Sequence, residues 1–410
     1  MEQPFEIGNN AGYIIQIFIV IFASKEHIVS DFFNRITALF KRCVNCRISA
    51  SSWYIAAVAA TLFIVLGGAL LSFVIDPHYR YRLPVFYKTV YHQAYATAPR
   101  LLRDSEYDLL MIGSSMVRNF FLDDIERSFK MTPIKISASG ATSYDLKKLF
   151  DTALDAKGDK LKKVIYSFDV YALNKRKPHY KDFEFMYRKD HWEDYRYLFD
   201  RQTFSSMLYL YKRVARPKGK RKYQAVRNRM FSTEHDRSRY SMTEVIGCAR
   251  EYERIRHTQT PCIDGSEAVL QSEVLAMIDR NPQIEFTVFL PPYHLYSYCL
   301  SERFGQAEEL LKLKTVALKE LVKRKNVRLY DFQCDPEIVC NGAYYTDIQH
   351  YSSALCRTLL DEMRREKYHI TSAAEVERNE AQLRKLIRDN MPAFYRDLGR
   401  PEELSARKEQ

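Results

Sequence analysis

Five short apolar runs are spaced along the second and later parts of the chain: Tyr107 to Ile112, Pro133 to Ile136, Val164 to Phe168, Ile284 to Leu290 and Val327 to Phe332. Runs this short, closed by Gly113, by the Ser137 to Gly140 stretch or by Pro291 and Pro292, read as strands. Helical spacing lies between and after them. Phe120 to Phe129 is one such segment, and Gly305 to Arg324 is a longer one. Thr142 followed by Asp145 signals a capped helix start, with Leu146, Leu149, Phe150 and Leu154 as its apolar face. Ser352 or Ser353 caps another, with Leu355, Leu359, Leu360 and Met363 on one side. Apolar strands alternating with helices predict an α/β fold, a parallel sheet covered on both faces. In such sheets ligands bind beyond the carboxyl ends of the strands, so functional residues belong just after the runs.

Upstream the pattern differs. Trp53 to Ile75 contains no charged residue and predicts a transmembrane helix, long enough to cross a hydrocarbon core of about 30 Å. Trp53 and Tyr54 suit an interfacial anchor, and Asp76 and Pro77 stop the helix. The nearby Lys and Arg residues balance across it, so charge does not orient it. Residues 1–50 read as an interfacial segment, with Ile28, Val29, Phe32, Phe33, Ile36, Leu39 and Phe40 at helical spacing. A second, poorly formed span is the other reading. Cys43 and Cys46 make a CxxC without a second ligand pair nearby.

The third and fourth strands are separated by an aromatic and basic insertion, residues 171–265. Its run from Lys212 to Arg229 contains no acidic residue and reads as a solvated loop or a contact for anionic polymer or lipid headgroups. The main domain is expected over residues 77–370, and residues 371–410 form a charged helical tail. The formal charge of +12 calls for anionic partners, and the membrane segment favours envelope polymers and lipid over nucleic acid. Beyond the span there are six cysteines, among which Cys248 with Cys262 and Cys334 with Cys340 close short loops suited to disulfides. Cys356 reads as a buried thiol.

Candidate chemistry sits where the sheet rule puts it. Ser115 lies on the turn after the first strand, where Gly113 lets the backbone turn sharply without a Cβ clash. Asp347 stands three residues before His350, a spacing that lets the carboxylate fold back onto Nδ1. The alternative for His350 is a cap on the following helix. Gly140, after the second strand, offers a backbone N–H that approaches an oxyanion closely, as does the N–H of Ser115. Tyr293 and His294, after the fourth strand, are candidates for lining the site, with a structural role as the alternative.

These motifs resemble the SGNH, or GDSL-like, hydrolases. Gly113, Ser114 and Ser115 match the first motif, with Ser114 replacing its usual Asp. Gly140 matches the second, and Asp347 with His350 the last. The resemblance implies a flavodoxin-like sheet and a Ser115, His350, Asp347 triad needing no metal or organic cofactor. The third motif normally offers an Asn after the third strand; here Asp169 follows, with Asn174 further on, and both are candidates near the substrate. An ionised Asp169 cannot donate.

One N-terminal span before such a domain is similar to proteins of teichoic-acid D-alanylation and exopolysaccharide acetylation. That similarity implies an extracytoplasmic domain on a single-pass anchor in the cytoplasmic membrane. It further implies an acylated or anionic polysaccharide substrate and a multi-span membrane acyltransferase as partner. The expected function is a serine esterase or O-acyltransferase. The alternative is a non-catalytic glycan-binding or scaffold subunit.

Overall fold

The computed structural model describes residues 50–83, 94–214, 239–255 and 265–400. The expected N-terminal segment, the Cys43 and Cys46 pair, Cys262 and the basic run beyond Val214 lie outside these residues. The described chain forms two compact units.

In the larger unit, β1 (Leu109–Gly113), β2 (Pro133–Ser137), β3 (Lys163–Ser167), β4 (Glu285–Leu290), β5 (Val327–Asp331) and β6 (His369–Ile370) make one sheet in the order β2-β1-β3-β4-β5-β6. The first five strands are parallel. The two-residue β6 pairs antiparallel to β5 and has no counterpart in the hydropathy pattern, because two residues carry no period. Every residue of β1, β2 and β3 is buried, which requires cover on both faces of the sheet. Helix Ser143–Lys157 packs on β1 and on helix Ala94–Asp104, while Leu122–Phe129 packs on β2 and on Ser353–Arg364. Chain order reverses between β1 and β3, and that reversal opens a crevice at their carboxyl ends.

The start signals read from the sequence operate here. Thr142 and Asp145 form a reciprocal capping box, and Ser352 caps Ser353–Arg364. The tail is one helix, Ala373–Leu398, and it docks on helices Leu295–Arg303 and Ala307–Leu321 through residues such as Leu383 and Phe394.

The smaller unit is built on helix Ala50–Ile75, whose Tyr54–Ile75 stretch is long and apolar enough to cross a membrane. Most of its side chains are exposed, Phe63 by 80%, while Ala69 and Ser72 are buried. The insertion does not hold together as one subdomain. Residues 171–187 and 239–255 belong to the sheet unit, whereas 188–214 belong to the apolar helix. The cause is polar. Arg80 pairs with Asp194 at 2.8 Å, Tyr197 donates to Asp76 at 2.8 Å, and Tyr81 stacks on His191. Trp192, Tyr195 and Phe199 are left facing outward at this end of the helix.

The expected Cys334–Cys340 disulfide is not formed. Cys334 turns its thiol into the core toward the Asp331 carbonyl, and Cys340 lies beyond the intervening helix Pro336–Val339. Cys248 is also a free thiol, as is the buried Cys356.

Candidate active site

β1 delivers the chain to the crevice at Gly113. This glycine keeps an ordinary negative φ, so it does not serve as a special turn residue. It is required by crowding: an added Cβ would stand 2.6 Å from both Ser167 Cβ and Val117 Cγ1. The next residues form a single 3-10 turn, Ser115–Val117, which begins when the Ser114 hydroxyl accepts the Met116 N–H. The turn holds Ser115 half-buried at the crevice mouth.

After β5 the chain makes a closed loop. Tyr345 bridges Tyr351, and the Thr346 N–H donates to the His350 carbonyl at 3.1 Å. Inside the loop, Asp347 Oδ1 accepts the N–H groups of Gln349 and His350, both at 2.7 Å. These bonds account for the three-residue spacing. The carboxylate is folded back by the local backbone, and its other oxygen lies 2.8 Å from His350 Nδ1. An ionised carboxylate only accepts, so Nδ1 carries the proton and Nε2 is left as an acceptor. Ser115 Oγ lies 2.7 Å from that Nε2. Burial pushes the Asp347 carboxyl up, but the hydrogen bonds and charge of His350, together with the two backbone N–H groups, outweigh it. Asp347 therefore stays below the usual carboxylate range.

The relay lines a cavity of about 310 Å³, together with Arg118, Asn119 and Tyr240. Asn119 and Arg118 were not singled out from the sequence. Asn119 Nδ2 donates to the Tyr351 carbonyl at 2.6 Å, tying the serine turn to the histidine loop. Lys135, on β2 and fully buried, donates to the carbonyls of Arg118 and Phe120 from below. A lysine in the middle of an apolar strand was the available signal for this strut.

Gly140 sits on the turn after β2 with φ +68°, a conformation that favours glycine. Its neighbour Ser139 accepts from Arg118 at 2.5 Å, which links this turn to the serine turn. Gly140 itself does not line the cavity. Neither its N–H nor that of Ser115 has a protein acceptor among the described residues.

The four candidates for substrate contact lie elsewhere. Asp169 sits behind the serine turn, bonded to the Tyr171 N–H at 3.0 Å and to the hydroxyls of Tyr293 and Ser114. Burial pushes its carboxyl up, and those bonds reverse the effect only in part. Asn174 is buried and spends its amide on the Tyr171 carbonyl and the Arg176 N–H. Tyr293 is buried against Asp169. His294 caps helix Leu295–Arg303 through Nδ1, and burial lowers its pKa to about 4. None of the four lines the cavity: Asn174, Tyr293 and His294 are buried, and the half-buried Asp169 turns its carboxylate to the Tyr171 N–H.

Compared with family models, curated proteins and solved structures, this chain matches none.

Proposed function

We propose that this chain is a membrane-tethered serine esterase or O-acyltransferase of the SGNH hydrolase type, acting on an envelope or extracellular polysaccharide. The observation that carries this reading is the continuous relay from Ser115 Oγ through His350 to Asp347, at 2.7 and 2.8 Å, open to a cavity. Ser115 attacks an acyl carbonyl while Nε2 of His350 takes its proton, and Asp347 stabilises the resulting imidazolium. The Ser115 and Gly140 N–H groups are the candidate oxyanion donors. His350 then returns the proton to the leaving alkoxide. In the second half, water or a sugar hydroxyl gives its proton to His350 and takes the acyl group from Ser115, whose oxygen receives that proton back from His350 as the ester bond breaks.

Helix Ala50–Ile75 is the tether. Its outward apolar surface and the aromatic side chains beside its carboxyl end suit a bilayer and its headgroup layer. Placement of the domain outside the cytoplasm rests on the single-span architecture and its resemblance to envelope acylation proteins; the free thiols add nothing to it. A membrane acyltransferase would be the partner that supplies or receives the acyl group.

The test is hydrolysis of small acetyl esters by the full-length chain in detergent. Turnover that disappears in Ser115→Ala supports the reading. Equal rates in both proteins would favour a non-catalytic subunit.

A further inference from the structure

We propose that Arg118 is an anion-binding subsite of the cavity, selecting esters that carry a carboxylate or phosphate close to the scissile acyl group. The proposal deepens the ester-chemistry reading of Ser115 and rests on it.

Arg118 is the permanent cation among the cavity-lining residues described. Its backbone is fixed next to the nucleophile: its N–H donates to the Ser115 carbonyl at 3.1 Å, and its own carbonyl accepts from Lys135 at 2.7 Å. The guanidinium therefore grows from the same short turn as Ser115. It reaches across to Ser139, beside Gly140. The guanidinium thus lines the same cavity as the nucleophile.

No carboxylate lies within 4.0 Å of the guanidinium among the described residues. The carboxylate that shares the cavity, Asp347, is turned toward His350 and two backbone N–H groups. Lys135 lies beneath, and its hydrogen-bond partners are carbonyl oxygens, not carboxylates, so it brings no carboxylate toward Arg118. A guanidinium has five N–H donors in a planar fork, and one bond to Ser139 leaves the others for a ligand. A fork of this kind matches the paired oxygens of carboxylate and phosphate, and charge-assisted bonds to it are strong. The net charge of +12 draws anionic polymers toward the chain as a whole.

The experiment uses the full-length chain in detergent and two matched ester pairs. One pair puts the charge on the acyl side, 4-nitrophenyl hemisuccinate against 4-nitrophenyl butyrate. The other puts it on the alcohol side, 3-acetoxybenzoate against phenyl acetate. The wild type is expected to favour the anionic member of at least one pair by about tenfold in kcat/KM. Arg118→Gln should lose about tenfold more on that member than on its neutral partner. Competition by succinate and by inorganic phosphate then separates carboxylate from phosphate preference. No preference in either pair, or equal losses on charged and neutral esters, overturns the proposal.

If no ester is turned over above the Ser115→Ala level, the ester-chemistry reading has failed. The subsite is then decided by calorimetric titration of succinate and phosphate into Ser115→Ala. Binding that disappears in Ser115→Ala with Arg118→Gln upholds it. Binding that is absent, or unchanged by the second substitution, removes it.

Discussion

Ser115 Oγ and His350 Nε2 stand 2.7 Å apart although 235 positions separate them in the chain. The contact joins the turn after β1 to the loop after β5, and Asn119 clamps the two at the Tyr351 carbonyl. Removing the base should therefore cost far more than removing the clamp. His350→Gln is expected to lower kcat for ester turnover by about 10²- to 10⁴-fold. Asn119→Ala should lower it less and reduce thermal stability as well. Steady-state kinetics with a thermal melt on each variant checks the order; a larger loss in Asn119→Ala contradicts it.

Two glycines near the site differ in what they tolerate. At Gly113 a methyl group meets Ser167 and Val117 at 2.6 Å, so Gly113→Ala overpacks the floor of the serine turn. The expected cost is about 1–3 kcal/mol, with loss of most activity. At Gly140 the nearest atom to a new Cβ is His179 Cε1 at 3.9 Å, so the cost there is backbone strain alone, about 1 kcal/mol. Denaturant melts of the two variants should separate them in this order.

How far the sequence reached can be judged at particular residues. The parallel sheet, the cap at Thr142 and the Asp347 and His350 pair were legible because each is local: a hydrophobic period, a side chain three residues from its target, a strand end. Asn174 is not at the cavity, and of the two readings of His294 the structural one describes its place, because proximity to a strand end does not say which way a side chain turns. Both turn inward to satisfy backbone groups. Arg118 and Asn119 carried no local signal, since their importance comes from partners on other loops, Ser139 and Tyr351. The split of the insertion depends on Arg80 meeting Asp194, a contact no window of sequence contains.

Lys135 gives the fold a pH signature. Burial is the main cause that lowers its pKa, from an ordinary 10.5 to about 7; the nearby Cys356 opposes the shift and Arg118 adds to it. Between those values the unfolded chain holds a proton that the folded chain has released. Wild-type stability therefore gains as pH rises through that window. Lys135→Met has no such group. The stability of the wild type relative to Lys135→Met should climb from about pH 7 to about pH 10, measured by denaturant melts at fixed ionic strength. A flat difference contradicts an amine that gives up its proton on burial.

The chain has 2 tryptophans, Trp53 and Trp192, so Trp53→Phe leaves Trp192 as the sole indole reporter. Trp192 is 86% exposed beside the carboxyl end of the apolar helix. In bilayers containing brominated lipid its fluorescence should be quenched, most strongly by bromines near the headgroups. Emission typical of water with no quenching would remove Trp192 from the interface.

Ser115 acts as a nucleophile activated by His350 only if its hydroxyl reacts with electrophiles and that reactivity depends on the imidazole. The most direct measurement is reaction of the full-length chain with a fluorophosphonate, followed by peptide mass analysis. A single adduct on Ser115 is expected, formed at least about 10²-fold more slowly in His350→Gln and absent in Ser115→Ala. A wild-type chain that stays unlabelled, or is labelled at another residue with Ser115 unmodified, would contradict it.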